Sequence, residues 1–335
     1  MRIEQLCQQL RDHGAKPCHE KRILRAWLKG LPLDSGKVSS ELFFPASVRE
    51  VLPALSAELL SLVRVHSEHA SADSSVRLLL ALSDRQMIES VLLPRDGVCV
   101  STQVGCAVGC IFCMTGKSGL LRQLSSTEIV AQIVLARTRR RVTRVVFMGM
   151  GEPAHNMDNV IEAINFLGTM GGIGHKNLVF STVGDHRVFE RLPNEIVKPA
   201  LALSLHSTNP ELRARLLPKA PRIDPAELVA LGETYARQTS YPIQYQWTLL
   251  AGINDGDEEL DGLVRLLKGK YAVMNFIPYN ATEGEQEYGF RRPAPERALA
   301  MSRHLHQHGI VAALRQSAGQ DVEGGCGQLR ARAVS

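Results

Sequence analysis

The chain has 335 residues, of which 44% are hydrophobic and 22% charged, and its 39 basic and 34 acidic side chains leave a formal net charge of +5. These proportions exclude a disordered chain, a collagen-like chain and a small disulfide scaffold, and they supply enough apolar sequence for a sizeable core. The mild basic surplus permits a polyanionic partner, while an aromatic content of only 5% argues against a broad base-stacking platform.

The N-terminus, MRIEQLCQQLRDHG, is charged where an export signal would be apolar. The longest aliphatic run, about Leu78–Leu82, falls far short of the roughly 20 residues that span a bilayer, so the reading is a cytoplasmic protein with no membrane partner. The first stretch reads as small helices. Ile3, Leu6, Cys7 and Leu10 share one helical face, as do Ile23, Leu24, Trp27 and Leu28, with Gly14, Pro17 and Gly30–Pro32 as punctuation. Val48, Val51, Leu52, Leu55 and Leu59 suggest further short helices interrupted at Pro53. From about Arg64 the pattern changes. Val76–Leu82 and Met87–Leu93 flank Ser83–Gln86 as a hairpin would, and Pro94–Gly97 is a turn signal. The expected organisation is a helical accessory domain over 1–62, a β-rich connecting region over 63–97 and a main domain over 98–335.

In the main domain, short β-rich runs alternate with helical segments. The runs are Val98–Val104, Val142–Met148, Leu178–Val183, Ala200–Leu205, Ile243–Leu250 and Ala272–Pro278, with a last one near Ile310–Leu314. Helical candidates such as Thr127–Arg137 and Met157–Leu167 lie between them. This alternation predicts an α/β fold with a parallel sheet and crossover helices, and the number of units suits a partial (β/α)6-type barrel. Chemistry in such folds gathers at the carboxyl ends of the strands.

The sharpest local signal follows the first of these runs. Gly105-Cys106-Ala107-Val108-Gly109-Cys110-Ile111-Phe112-Cys113 is a C-x3-C-x2-C loop with two glycines. Seven cysteines, three of them within eight residues, point to metal or redox chemistry in a reducing compartment and away from a disulfide framework. Three thiolates in one loop can hold three corners of an iron–sulfur cubane and leave the fourth iron open to a ligand. The competing reading is zinc, which usually takes four protein ligands; no fourth Cys or His stands nearby in the sequence.

The C-x3-C-x2-C loop resembles that of the radical S-adenosylmethionine (SAM) superfamily. More narrowly, Cys99-Val-Ser-Thr-Gln-Val-Gly-Cys106-Ala-Val-Gly-Cys110-Ile-Phe-Cys113, Val146-Phe-Met-Gly-Met-Gly-Glu-Pro153, Ser204-Leu-His206 and Gly325-Cys326-Gly-Gln-Leu329 together resemble the RlmN/Cfr family of adenosine methyltransferases over nearly the whole chain. The resemblance implies that Cys106, Cys110 and Cys113 hold a [4Fe–4S] cluster and that SAM, two molecules per turnover, contacts Gly151, Glu152, Ser181, Ser204, Leu205, His206 and Asn280. It also implies that Cys326 carries the methyl group, that Cys99 is the resolving thiol of a transient disulfide, and that Glu89 is a general base. The implied substrate is C2 or C8 of an adenosine in ribosomal RNA, with transfer RNA a further substrate of some members, and the implied electron source is a protein of the reduced-flavodoxin type.

Read without the resemblance, Cys99 and Cys326 are two structural thiols 227 positions apart, Glu89 is a strand residue facing water, and Gly149–Pro153 is an ordinary turn. Basic stretches at Arg137–Arg144, at Arg213, Arg215, Lys219 and Arg222, and at Arg291–Arg292 are solvated faces or, on an RNA substrate, phosphate contacts. Cys7 and Cys18 match no motif and read as structural. Two other functions remain open at this level: a radical SAM enzyme acting on a protein or small molecule, and a non-catalytic RNA-binding protein with a structural metal.

Overall fold

The computed structural model of the chain describes residues 1–117, 119–280, 289–315 and 327–334. Its centre is a ten-stranded sheet. Three antiparallel strands, β1 (Val63–Ala70), β2 (Val76–Leu82) and β3 (Met87–Leu93), form one side, and β3 pairs antiparallel with β4 (Gly97–Cys99). From β4 onward every neighbour is parallel: β7 (Arg144–Phe147), β8 (Leu178–Thr182), β9 (Ala200–Ser204), β10 (Ile243–Leu249), β11 (Ala272–Pro278) and β12 (Val311–Leu314). A separate antiparallel pair, β5 (Gln103–Gly105) with β6 (Leu120–Gln123), stands beyond the end of β4. Strand β12 does not pair back with β1, so the barrel is partial.

Two expectations are corrected. The run Val98–Val104 is two strands, because the chain leaves the main sheet after β4 and Gln103–Gly105 pairs with β6 instead. The helix Ala46–Ser61 passes through Pro53 without a break; the proline sits on its exposed face, where the carbonyl it leaves unpaired can meet water. The strand β1 has only Val63 buried and otherwise alternates half-buried with exposed residues, so it lacks the apolar run that marks β2 and β3.

Local chemistry explains the elements that carry the site. The helix Ser126–Arg137 starts at a capping box: the Ser125 hydroxyl accepts the Glu128 N–H and the Glu128 carboxylate accepts the Ser125 N–H at 2.8 Å. Almost all of it is buried, because it is covered by the barrel on one side and by the helices Pro17–Leu28 and Met157–Thr169 on the other. The Ile3 N–H donates to the Ser126 hydroxyl at 2.9 Å, and Trp27 packs against Phe166 at 6.1 Å between centroids. The N-terminal helices therefore share one continuous apolar core with the barrel. Among the described residues no helix is long and apolar enough to cross a membrane.

Candidate active site at the carboxyl end of the barrel

The three-cysteine loop grows out of the β5–β6 ribbon. The Cys106 N–H donates to the Gly119 carbonyl at 2.9 Å and closes the loop at its base. Gly105 has φ +81°, and a Cβ there would stand 1.9 Å from that same carbonyl oxygen, so only glycine fits. Gly109, between the first two cysteines, is also left-handed at φ +66°. On its far side the loop is tied to the segment after β9, with the Ile111 N–H donating to Leu216 O and the Lys219 N–H to Val108 O. Val108, Leu216, Leu217 and Tyr279 form a small apolar cluster around the sulfur-bearing residues.

Cys106, Cys110 and Cys113 line one cavity of about 350 Å³. Burial pushes the Cys106 thiol up to about 12 and raises Cys110 and Cys113 above the usual thiol range, and mutual repulsion adds to the effect at Cys106 and Cys110. Three desolvated thiols of this kind call for a metal cation to hold them as thiolates. Among the described residues no three His, Cys, Asp or Glu side chains gather around a point that would hold one metal ion. The donor set, three cysteines lining one cavity, fits a [4Fe–4S] cluster.

The rest of this cavity is built from strand ends. After β7 the chain turns through Gly149–Glu152 against the first strand: a Cβ on Gly149 would meet the Val100 carbonyl at 2.7 Å, and one on Gly151 (φ +104°) would meet Gln103 at 2.6 Å. The Glu152 N–H donates to Gln103 Oε1 at 2.7 Å, and the Glu152 carboxylate accepts the N–H groups of Ala154 and Val183, both at 3.0 Å. Burial lifts this carboxyl to about 7, against hydrogen bonds that pull the other way. Gly151, Glu152, Ser181, Ser204, His206 and Asn280, which the resemblance assigns to SAM, all line the cavity. Leu205 does not: its side chain is fully buried in the main core, while its backbone N–H donates to Gln246 O. His206 is left-handed at φ +60° and lies edge-on to Phe112 at 4.8 Å. Burial, and then Arg213, lower it to about 3, and its neutral ring accepts the Thr248 N–H through Nδ1 at 2.9 Å.

A second group of residues adjoins the first. Glu89 does not face water; it is 2% exposed on β3. One carboxylate oxygen accepts the Arg77 guanidinium at 2.9 Å and the Gly327 N–H at 3.0 Å, and the other accepts the Arg330 N–H at 3.0 Å. Cys99 is on the adjacent strand, opposite Val91, and lines a cavity with Glu89; burial pushes its thiol up to about 11. Cys326 lies outside the described residues, but its neighbour Gly327 is held on Glu89 and presses on the cluster loop, where a Cβ would meet Thr115 Oγ1 at 2.6 Å. The geometry thus brings the neighbourhoods of Glu89, Cys99 and the C-terminal motif together beside the cluster loop.

Several site-building residues carry no motif. Ser101 is fully buried: its hydroxyl donates to Glu89 O at 2.5 Å and accepts the Met150 N–H at 2.9 Å, and its N–H donates to Gln132 Oε1 at 2.9 Å. Arg77 is the lone charge in an apolar run, the one signal that could have marked it. Two arginines of the basic stretches prove internal. Arg213 is 3% exposed and donates to the carbonyls of Val183 and Ser204; Arg137 donates to Leu28 O and Gly171 O. Arg213 is therefore not a solvated side chain, and Arg137 is half-buried.

An open parallel barrel with a three-cysteine loop above its first strand, and a glycine-rich turn plus polar strand ends facing it, defines a radical SAM enzyme. Residues 100–267 match the radical SAM superfamily. The chain is 71% identical over 335 residues to a probable RNA methyltransferase of Aromatoleum aromaticum, covering 100% of this chain and 94% of the relative. It is 67% identical over 334 residues to one of Thiobacillus denitrificans, covering 100% and 91%. The crystal structure of a radical SAM methyltransferase from Sphaerobacter thermophilus superposes with a TM-score of 0.85 at 33% identity, over 98% of this chain and 97% of that one. The chain belongs to the radical SAM superfamily and, within it, to the RlmN/Cfr-like methyltransferases.

Proposed function

We propose that this enzyme methylates an sp2 carbon, C2 or C8, of an adenosine in RNA, ribosomal RNA first and transfer RNA as a further substrate. The names of the relatives support RNA as the substrate class. The observation that carries the adenine-carbon reading is the approach of Glu89, Cys99 and the Gly327 end of the C-terminal motif to the cluster loop from three separate parts of the chain.

When bound, the [4Fe–4S] cluster supplies the electron that cleaves SAM to a 5′-deoxyadenosyl radical. Cys106, Cys110 and Cys113 hold that cluster, and Glu152, with Gly151, Ser181, Ser204, His206 and Asn280 around it, receives SAM. The Cys326 thiolate takes a methyl group from a first SAM. The 5′-deoxyadenosyl group of a second SAM takes a hydrogen atom from that methyl group, the methyl carbon bonds to the adenine ring carbon, and the adduct would give up one electron, back to the oxidised cluster, as its ring proton leaves. Glu89 removes the ring proton. Cys99 then attacks the Cys326 sulfur; the sulfur–carbon bond breaks, the released carbon gains a proton, and the disulfide is later reduced. A reduced-flavodoxin-type donor supplies the electrons. In this reading the N-terminal helices form the RNA-contacting accessory region, and the protein works in the cytoplasm.

The test is mass spectrometry of nucleosides from RNA incubated with cluster-loaded enzyme, SAM and reductant. A carbon-methylated adenosine is expected, with standards separating C2 from C8, and Cys326→Ala should retain the cluster and yield none. Cleavage of SAM without any methylated base from ribosomal or transfer RNA would sink the RNA reading and leave the cluster assignment standing.

A further inference from the structure

Below the cluster-side cavity the barrel lumen holds a second one, of about 440 Å³. The two share Met148, Gly149, Gln246 and Ile277 as a common wall. The lower end of the lumen is cationic. Arg95 stands just before β4, Arg144 is the first residue of β7 and Arg315 directly follows β12; all three are exposed and line the cavity. Among the described residues the one carboxylate in its lining, Glu89, is already engaged by Arg77. The nearest acid in sequence, Asp96, faces Arg141 at 3.9 Å. Among the described residues, Arg95, Arg144 and Arg315 have no acidic partner.

Among the described residues, no acid relieves the electrostatic cost of this arrangement. Arg144 is partly desolvated and lies close enough to Arg315 for the two positive charges to weaken each other, so that the Arg144 guanidinium is held below its usual range by burial first and by Arg315 second. Arg315 is steered toward the lumen by its Nε donating to Asn275 Oδ1 at 2.9 Å. Side-chain amides of Gln244, Gln246 and Asn275 extend the polar wall inward. Guanidinium forks around a mouth, with amides behind them, suit an oxyanion attached to a polar body. The volume lies in the range of small-molecule sites.

We propose that this mouth of the barrel lumen is a binding site for a phosphate-bearing ligand, a nucleotide phosphate held by Arg95, Arg144 and Arg315 with its polar remainder against Gln244 and Asn275. The same chemistry serves a free nucleotide and a nucleotide within a polynucleotide, and the inference does not depend on RNA being the methylation substrate.

The experiment is calorimetric titration of the full-length, cluster-loaded protein, with SAM present and no reductant, at ionic strength matched with chloride. The probes are inorganic phosphate, adenosine monophosphate and a short single-stranded oligoribonucleotide. Wild type is compared with Arg144→Gln, with Arg144→Gln/Arg315→Gln, and with Arg303→Gln, an exposed helical position away from the lumen, as the control. Each lumen substitution should weaken probe binding by about tenfold, and Arg303→Gln should not. Binding of phosphate or the mononucleotide that the double variant loses identifies a free-ligand site. Binding of the oligoribonucleotide alone, lost in the double variant together with part of its salt dependence, identifies a polynucleotide site. Equal binding of all probes to wild type and a folded double variant, or no binding to wild type, overturns the proposal. Arg144→Lys/Arg315→Lys, which keeps both charges, guards against a loss caused by misfolding.

Discussion

The carboxylate of Glu89 accepts the backbone N–H of Gly327 at 3.0 Å, joining strand β3 to a residue 238 positions further along the chain. The same carboxylate is ion-paired with Arg77 and caps the N–H of Arg330. Its two oxygens therefore serve three N–H donors, and the residue read as the base is also the anchor of the C-terminal motif. Base and anchor are separable by measurement.

Arg77 and Glu89 have side-chain exposures of 4% and 2%, so each is compensated by the other rather than by water. Arg77→Met leaves a buried carboxylate with one partner fewer and should lower unfolding free energy by about 3–5 kcal/mol in urea titrations. Arg77→Met/Glu89→Gln should cost less than Arg77→Met alone. A double variant less stable by the full sum of the two single changes would show that the pair is not coupled.

Gly327 combines φ +88° with a Cβ position 2.6 Å from Thr115 Oγ1 and 2.7 Å from Thr115 N. Gly327→Ala must therefore move the C-terminal segment off the cluster loop. Iron and sulfide content should stay near wild type while methyl transfer slows at least about tenfold, the order of a misplaced reacting group. Unchanged turnover would mean that the Gly327–Thr115 approach does not position Cys326.

Gly105→Ala attacks the other side of the loop. Its Cβ would overlap the Gly119 carbonyl that closes the β5–β6 ribbon, and the overlap is with backbone, which cannot swing aside. Reconstituted protein should bind well under half the wild-type iron, read by chemical iron assay and by cluster absorbance. Full iron loading would contradict this account of the loop.

Glu152 gives a pH signature. Its carboxyl is lifted by burial from 4.5 to about 7, so the folded protein without ligand binds more protons than the unfolded chain between those values. Stability from this group is therefore full below about pH 4.5 and falls as pH rises through 7, by up to ~3 kcal/mol. Urea titrations at pH 5 and pH 8 should show a smaller loss in Glu152→Gln than in wild type. An equal loss in both proteins would remove Glu152 as the source.

The sequence exposed what is local. The three cysteines with their glycines, and the Gly149–Pro153 turn, are each a contiguous stretch whose backbone geometry is imposed within a few residues; Cys106, Cys110, Cys113, Gly151 and Glu152, grouped beforehand by the family resemblance, line one cavity. Alternation could not tell which way Glu89 points, because one face of β3 meets the core and the other the barrel lumen; both are interior, and neither is water. Leu205 follows Ser204 in the motif yet points to the core, a consequence of side chains alternating at a strand end. Arg213 and Arg137 looked like members of surface charge runs. Their partners are backbone carbonyls from 9 to 109 residues away, and no local pattern announces such a partner.

The strands of the main sheet stand in space in the order in which they occur in the chain, apart from the inserted ribbon. During synthesis each new strand can add to the growing edge without waiting for distant sequence, and the cysteine loop is complete while roughly 200 residues are still to be made. One contact that crosses this order is the docking of Gly327 and Arg330 on Glu89, which cannot form until those residues have been made. The cysteine loop is thus made before the C-terminal residues that dock beside it.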